Sequence, residues 1–147
     1  MPCVGTVLGA NLLMRLNLDH IGQIGFAVAD ADKTERFYEQ LLGLRKLYRF
    51  GDLVFFDCAG VRLMFSQSAD AEEVARHSPL YLRCADIVLT QAELEKRGVV
   101  FKGAAHRVAA MEDHDLWMSF FSDPDGHVLA LMCEAPKGYE PPAASGD

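Results

Sequence analysis

The chain has 147 residues, half of them apolar, so it can bury the core of one compact domain or of two small lobes sharing a sheet. Its formal net charge of −7 argues against a nucleic-acid groove or an anionic membrane surface as partner, because both need clustered Lys and Arg. The acidic balance is ordinary for a soluble cytoplasmic protein, and it favours cationic ligands.

Residues 1–17 are predicted to form a loosely attached N-terminal extension. Their apolar run is interrupted by glycines and follows no basic residue, so it is typical neither of a signal peptide nor of a membrane span. Without an export signal, we expect a cytoplasmic location and free thiols. The four cysteines are scattered, without the spacing of a zinc site or a redox pair.

Residues 18–67 are predicted to form a strand, a helix and three further strands. Large apolar residues alternate with small or polar ones over 21–28, which is typical of a strand with one packed face. The helix is capped by Asp30 or Asp32, and Gly43 ends it because glycine tolerates the left-handed backbone of a C-terminal cap. The three strands, separated by turn dipeptides, are expected over 45–50, 53–58 and 61–66.

The same pattern recurs after a polar connection over 68–78. Residues 79–134 again begin with an alternating strand, and the helix that follows again ends at a glycine, Gly98. The tail over 135–147 contains prolines and small residues, and we expect it to be flexible.

The clearest local signal is a hairpin near the end of the second unit. Two runs rich in aromatic and aliphatic residues, 116–121 and 128–133, flank the segment Asp123-Pro-Asp-Gly126. Proline fixes φ near the value that the second turn position needs, and glycine accepts positive φ, so this segment predicts a tight turn between two strands.

Three of these features together resemble the vicinal oxygen chelate superfamily of glyoxalase I, bleomycin-resistance proteins and extradiol dioxygenases. They are the doubled unit, the Phe37-Tyr38 pair on a helix ending in Leu42-Gly43, and the segment Phe120-Phe-Ser-Asp-Pro-Asp-Gly126. The resemblance covers about residues 18–134. It implies an α+β fold in which two βαβββ modules form curled mixed sheets around a concave cup. It also implies a homodimer, with the modules paired either within the chain or between chains.

Metal-dependent members of that superfamily carry one ligand on the first and one on the last strand of each module. The corresponding positions here are Gln23, Met64, Pro79 (Leu80 if the register slips by one) and Ala130. Only Gln23 offers a donor that suits a divalent ion, which needs three or four nitrogen or oxygen ligands. We therefore expect no metal cofactor, and we expect Gln23 to be a hydrogen-bonded polar residue in a pocket.

The concave face is expected to bind a small molecule. If Gln23 faces inward, strand alternation adds residues of the other strands to the same surface. An inward Arg83 needs an anion, which is supplied either by the ligand or by a nearby acid, unless the side chain reaches solvent at an edge. Trp117 is either a stacking surface at the mouth of the cup or a core residue. The expected ligand-binding residues are Gln23, Arg62, Met64, Tyr81, Arg83, Trp117 and Ala130.

Two histidines, His106 and His114, are the candidate catalytic residues, because histidine exchanges protons most easily near neutral pH. Both precede the central hairpin, at the expected rim of the cup. The run Asp113-His114-Asp115 is a weak metal candidate, since three consecutive strand residues cannot all face one ion. No nucleophile elbow, phosphate-binding glycine loop or zinc-protease motif is present in the sequence.

Two functions remain open at this point. The first is a metal-free protein of the bleomycin-resistance type that binds a small molecule in the cup. The second is a divergent lyase, isomerase or dioxygenase that uses a histidine-based or non-standard metal site. Loss of the coordinating positions favours the binding protein.

Overall fold

The computed structural model describes Leu16 and residues 18–142. Most of the predicted N-terminal extension and residues 143–147 of the predicted tail lie outside the described residues. The strands are β1 (Gln23–Val28), β2 (Arg45–Phe50), β3 (Leu53–Cys58), β4 (Val61–Gln67), β5 (Leu80–Arg83), β6 (His106–Ala110), β7 (Asp115–Ser122) and β8 (Val128–Ala135). The helices are α1 (Ala31–Arg36), continued by a π-helical turn (Phe37–Leu41), α2 (Ala71–Ala75) and α3 (Ile87–Lys96).

Two four-stranded mixed sheets form the fold, with strand orders β1-β4-β3-β2 and β5-β8-β7-β6. In each sheet the first and last strands of a module are parallel neighbours, and the other pairs are antiparallel. The predicted α+β class with two βαβββ modules is therefore confirmed. The connection over 68–78 contains the short helix α2.

Helix ends follow the predicted chemistry. Asp30, rather than Asp32, is the N-cap of α1, and its carboxylate accepts the backbone N–H groups of Asp32 and Lys33. Gly43 and Gly98 have φ of 75° and 99°, so each supplies the left-handed residue that ends its helix.

The sides of the two sheets that face the helices share one apolar core. Phe26 and Phe65 of the first sheet and Phe121 and Leu131 of the second belong to the same buried cluster, which also includes Ile87 of α3. The opposite face of each sheet lies outside this core. The longest described helix, α3, has ten residues, and none of the described helices is long and apolar enough to cross a membrane.

The π-helical turn after α1 was not predicted from the sequence. The Leu42 N–H donates to the Phe37 carbonyl at 3.0 Å, five residues back. This wider turn buries both Phe37 and Tyr38, and the Tyr38 hydroxyl reaches Asp123 in the second module. The turn thus joins the two halves of the chain.

Candidate functional site

The first candidate surface is the side of the β1-β4-β3-β2 sheet that faces away from the core, called the first open face. Strand pairing places Gln23 beside Arg62, and Met64 beside Phe55, which in turn pairs with Tyr48. These side chains share one face because directly paired residues of a sheet point the same way. The predicted ligand residues Gln23, Arg62 and Met64 are therefore brought together.

Arg62 is held by three neighbours on the first open face. Its Nε donates to the Oε1 of Gln23 at 2.7 Å, and its Nη1 donates to the Tyr48 hydroxyl at 3.0 Å. The guanidinium carbon lies 5.7 Å from the centre of the Phe55 ring, within the range of a cation–π contact. An exposed arginine is thus fixed in one orientation by neutral groups.

The four positions that correspond to metal ligands in the superfamily do not form a metal site here. The Oε1 of Gln23 is used by Arg62, and its Nε2 lies 3.5 Å from the Met64 sulfur. Ala130 offers no donor, and neither does Pro79 or Leu80 at the start of β5. A divalent ion would have to displace a guanidinium to gain a single carboxamide oxygen, so this donor set does not fit it.

The second candidate surface is the corresponding side of the β5-β8-β7-β6 sheet, called the second open face. Tyr81 pairs with Ala130, and Arg83 pairs with Met132, so the predicted residues Tyr81, Arg83 and Ala130 share this face. Arg83 forms an exposed ion pair with Glu134. The charge of this arginine is therefore compensated by an acid within the chain.

Trp117 lies on the other side of the second sheet. It pairs with Cys133, whereas Ala130 pairs with Phe120, and alternation puts these two pairs on opposite faces. The indole is buried and makes an edge contact with Tyr139, with ring centres 5.5 Å apart. Trp117 is therefore a core residue in this structure and is not part of the second open face.

The two candidate catalytic histidines are not adjacent. His106 begins β6 and pairs with Met118, so it borders the second open face. His114 follows the other end of β6, and its Nδ1 lies 2.7 Å from Asp113. About four residues of strand, or roughly 13 Å, separate the two histidines along the hairpin. They cannot act on one substrate atom as a pair in this chain.

Asp115 does not join the His114 pair. Its buried carboxylate accepts the Gly138 N–H at 3.1 Å and a Lys137 ammonium hydrogen bond at 3.2 Å. These hydrogen bonds, the Gly138 N–H first, hold the pKa of Asp115 below its usual range. The consecutive acids around His114 therefore point to different partners, and Asp115 anchors the segment after β8.

A cluster that sequence reasoning missed lies in the hairpin turn. The ligand atoms of Asp123, Asp125 and His127 lie within 4.8 Å of one another, as in some metal sites. The Nδ1 of His127 is 2.9 Å from Asp123, and its Nε2 is 2.7 Å from the Val74 carbonyl oxygen. Both ring nitrogens are therefore used by protein groups, and the cluster holds the turn in place. The turn motif was visible in the sequence, but these partners were not.

A groove of about 480 Å³ lies away from both open faces, between α3 and residues 101–105. Its lining is mostly small and apolar, and Pro141 and Pro142 border it. The buried Oε1 of Gln91, which lines the groove, has no hydrogen-bond partner among the residues that the structure describes. None of the predicted site residues belongs to this groove.

Comparison with known proteins agrees with this architecture. A family profile described as "Glyoxalase/Bleomycin resistance protein/Dioxygenase superfamily" matches residues 18–131. The chain is 26% identical over 117 residues to the metallothiol transferase FosB of Bacillus licheniformis, covering 76% of this chain and 73% of that protein.

Two similar solved structures come from differently described proteins. TnmS3, an antibiotic binding protein from Streptomyces sp. CB03234, is 23% identical with a TM-score of 0.64, over 83% of this chain and 99% of its own. A lactoylglutathione lyase from Agrobacterium tumefaciens is 21% identical with a TM-score of 0.63, over 83% of this chain and 98% of its own. At these identities the structures show a common fold.

Proposed function

Because the chain belongs to the glyoxalase/bleomycin resistance protein/dioxygenase superfamily, we propose that it binds a small molecule against its open sheet faces without a metal cofactor. The observation that carries this proposal is the hydrogen bond from Arg62 to Gln23. It occupies the one oxygen donor among the four positions that correspond to metal ligands. Without a metal ion, these positions cannot support the Lewis-acid chemistry of metal-dependent relatives.

The lining of the first open face supports ligand binding. Met64, Phe55 and Tyr48 form an apolar row beside Arg62, and the Tyr48 and Phe55 ring centres are 4.6 Å apart. An apolar surface with a few oriented polar groups is the common composition of small-molecule sites, since burial supplies affinity and the polar groups fix orientation. The similar fold of TnmS3, described as an antibiotic binding protein, is consistent with this use.

We also propose that a homodimer completes the site. The helix-facing sides of both sheets are joined in one core within the chain, while Gln23 and Arg62 on one open face and Tyr81 and Arg83 on the other remain exposed. The described residues of a single chain therefore leave each face uncovered. If the second open face of another copy lies opposite the first open face of this chain, the two faces enclose a cup and cover apolar surface.

The enzyme alternative is supported by the similarity to the metallothiol transferase FosB, a name that implies a metal. In this chain a lyase, isomerase or dioxygenase activity would need donors outside the four corresponding positions, with His106 or His114 acting separately.

We also propose a cytoplasmic, reducing location for the protein. The three cysteines in the described residues are free, as is usual for proteins in a reducing compartment.

Metal analysis of the purified protein tests the absence of a cofactor. After incubation with Zn²⁺, Ni²⁺, Mn²⁺ or Fe²⁺ and desalting, we expect far less than one ion per chain. A matched variant that combines Met64→Glu with Ala130→Glu adds two carboxylates at the corresponding positions and should bind more metal than the parent. About one ion per parent chain, whose removal abolishes ligand binding or turnover, would favour the enzyme.

Light scattering tests the dimer, with an expected mass twice the 16.2 kDa of one chain. Phe50 lies on the edge strand β2 and is 66% exposed, so Phe50→Glu should weaken the dimer by placing a charge in the contact. Leu89 on α3 is 68% exposed, and Leu89→Glu is the matched control that should leave the mass unchanged. A monomeric parent at micromolar concentration would refute the shared cup.

A further inference from the structure

Arg62 carries a positive charge that no acid of the described residues neutralises. Arg83 is paired with Glu134 on the second open face, and Arg45 is paired with Asp57 on the first. Arg62, by contrast, makes hydrogen bonds to neutral groups, and it forms no ion pair with any carboxylate in the part of the chain that the structure describes. Arg62 is thus held by neutral groups in a chain whose formal net charge is −7.

One acidic side chain lies next to Arg62 but makes its contacts with other residues. Asp57 is its cross-strand neighbour on β3. One Asp57 oxygen lies 3.6 Å from Arg45, and the other accepts the Gly60 N–H at 3.1 Å in the following turn. The guanidinium of Arg62 is therefore turned toward Gln23 and Tyr48.

The contacts of Arg62 leave part of its donor set available. Its guanidinium presents a planar fork of N–H groups, of which the Nε hydrogen is used by Gln23 and one Nη1 hydrogen by Tyr48. Because Arg62 is exposed, the remaining N–H groups of its guanidinium are accessible to a ligand. Because the side chain is already oriented, little rotamer freedom is lost when these groups bind an oxyanion.

We propose that Arg62 binds the oxyanion of an aromatic ligand, a carboxylate or a phosphate, whose ring lies against the exposed Tyr48. This inference rests on the proposed small-molecule function and names its ligand class. The guanidinium supplies the positive charge that a metal ion supplies in metal-dependent relatives, and Gln23 acts as its positioning residue. Aromatic side chains beside an arginine fit such a ligand, since the rings pack on its flat surface while the fork binds its oxygens.

The ligand class is tested by calorimetric titration with three probes that share one ring system: naphthoate, naphthyl phosphate and the neutral naphthamide. We expect the parent to bind at least one of the anions about tenfold to a hundredfold more tightly than the amide. A preference for naphthoate over naphthyl phosphate identifies a carboxylate ligand, and the reverse identifies a phosphate. Equal affinity for all three probes would refute the anion site while leaving small-molecule binding intact.

Substitutions test whether Arg62 causes the preference for an anionic probe over the neutral amide. Arg62→Met should remove it, Arg62→Lys should keep part of it, and Gln23→Leu should reduce it by loosening the guanidinium. Arg36→Met is the charge-matched control, because Arg36 is an exposed residue at the end of α1, in the helix layer. It should leave the preference unchanged.

Two further outcomes would overturn the proposal. One is a preference that survives Arg62→Met but is lost in Arg83→Met, which would move the anion contact to the second open face. The other is failure of all three probes to bind the parent, which would exclude the aromatic oxyanion class. In that case metal analysis would still test the absence of a metal cofactor, and light scattering would still test the dimer.

Discussion

Replacement of Asp123 by alanine should destabilise the whole chain, because this buried carboxylate joins the two modules. It accepts the Tyr38 hydroxyl at 2.8 Å and faces the Nδ1 of His127 at 2.9 Å. It also accepts the backbone N–H groups of Asp125 and His127, each at 2.9 Å. Asp123→Ala would therefore leave a buried hydroxyl and a buried imidazole without their partner.

The expected loss of unfolding free energy is about 3–5 kcal/mol, because two buried polar groups each lose a hydrogen-bond partner, at about 1–3 kcal/mol apiece. A domain of this size has about 5–15 kcal/mol in total, so the loss is a large fraction of its stability. At about 3 °C per kcal/mol, the melting temperature should fall by about 10–15 °C.

The measurement is urea unfolding at one fixed protein concentration, which keeps any dimer contribution constant. Tyr38→Phe should cost about 1.5–3 kcal/mol alone and much less when added to Asp123→Ala, because both changes remove the same hydrogen bond. Asp52→Ala, in an exposed turn, is the control and should change stability by less than about 0.5 kcal/mol. A similarly small effect of Asp123→Ala, or full additivity with Tyr38→Phe, would refute the reasoning.

Three further predictions concern pH and backbone conformation. Hydrogen bonds lower the pKa of Asp115 in the folded chain, so its ionised carboxylate stabilises the fold at pH values above the unfolded pKa of about 4. This stabilisation is lost as the pH falls through the folded pKa. The stability difference between the parent and Asp115→Asn should therefore shrink in acid unfolding curves below about pH 4. Burial, with the Asp123 charge second, raises the pKa of Tyr38, so the parent should lose stability relative to Tyr38→Phe above about pH 10, as measured by alkaline unfolding. Gly126 has φ of 81°, so Gly126→Ala should cost about 1–2 kcal/mol in thermal unfolding, and no measurable change would contradict the turn geometry.

Local patterns in the sequence were sufficient for most of the fold. The strands over 45–50 and 53–58 were predicted at their observed bounds, and the hairpin around Asp123 was predicted to within two residues at each end. These elements are encoded by alternation and by turn residues, whose effects act over a few positions. The repeat of this pattern then gave the two-module architecture.

The face on which Trp117 lies could not be decided from the sequence. Large apolar residues occupy nearly every position from Leu116 to Phe121, so alternation does not distinguish a core-facing set from an outward one. Pairing with β8 fixes the choice, because it places Trp117 beside Cys133 and Phe120 beside Ala130.

The sequence by itself determined α1, α3, most of the strands, the hairpin turn and the presence of only one metal donor, Gln23, at the four corresponding positions, since each depends on residue type or on neighbours along the chain. Only the tertiary structure decided which polar groups meet. Tyr38 and Asp123 are 85 positions apart, and Arg62 and Gln23 are 39 apart. Residue spacing carries no signal for such pairs, because they form when sheet register and helix packing bring separate segments together. Among the described residues Arg83 has an ion-pair partner and Arg62 has none, and this difference depends in the same way on the positions that Glu134 and Asp57 take in the folded chain.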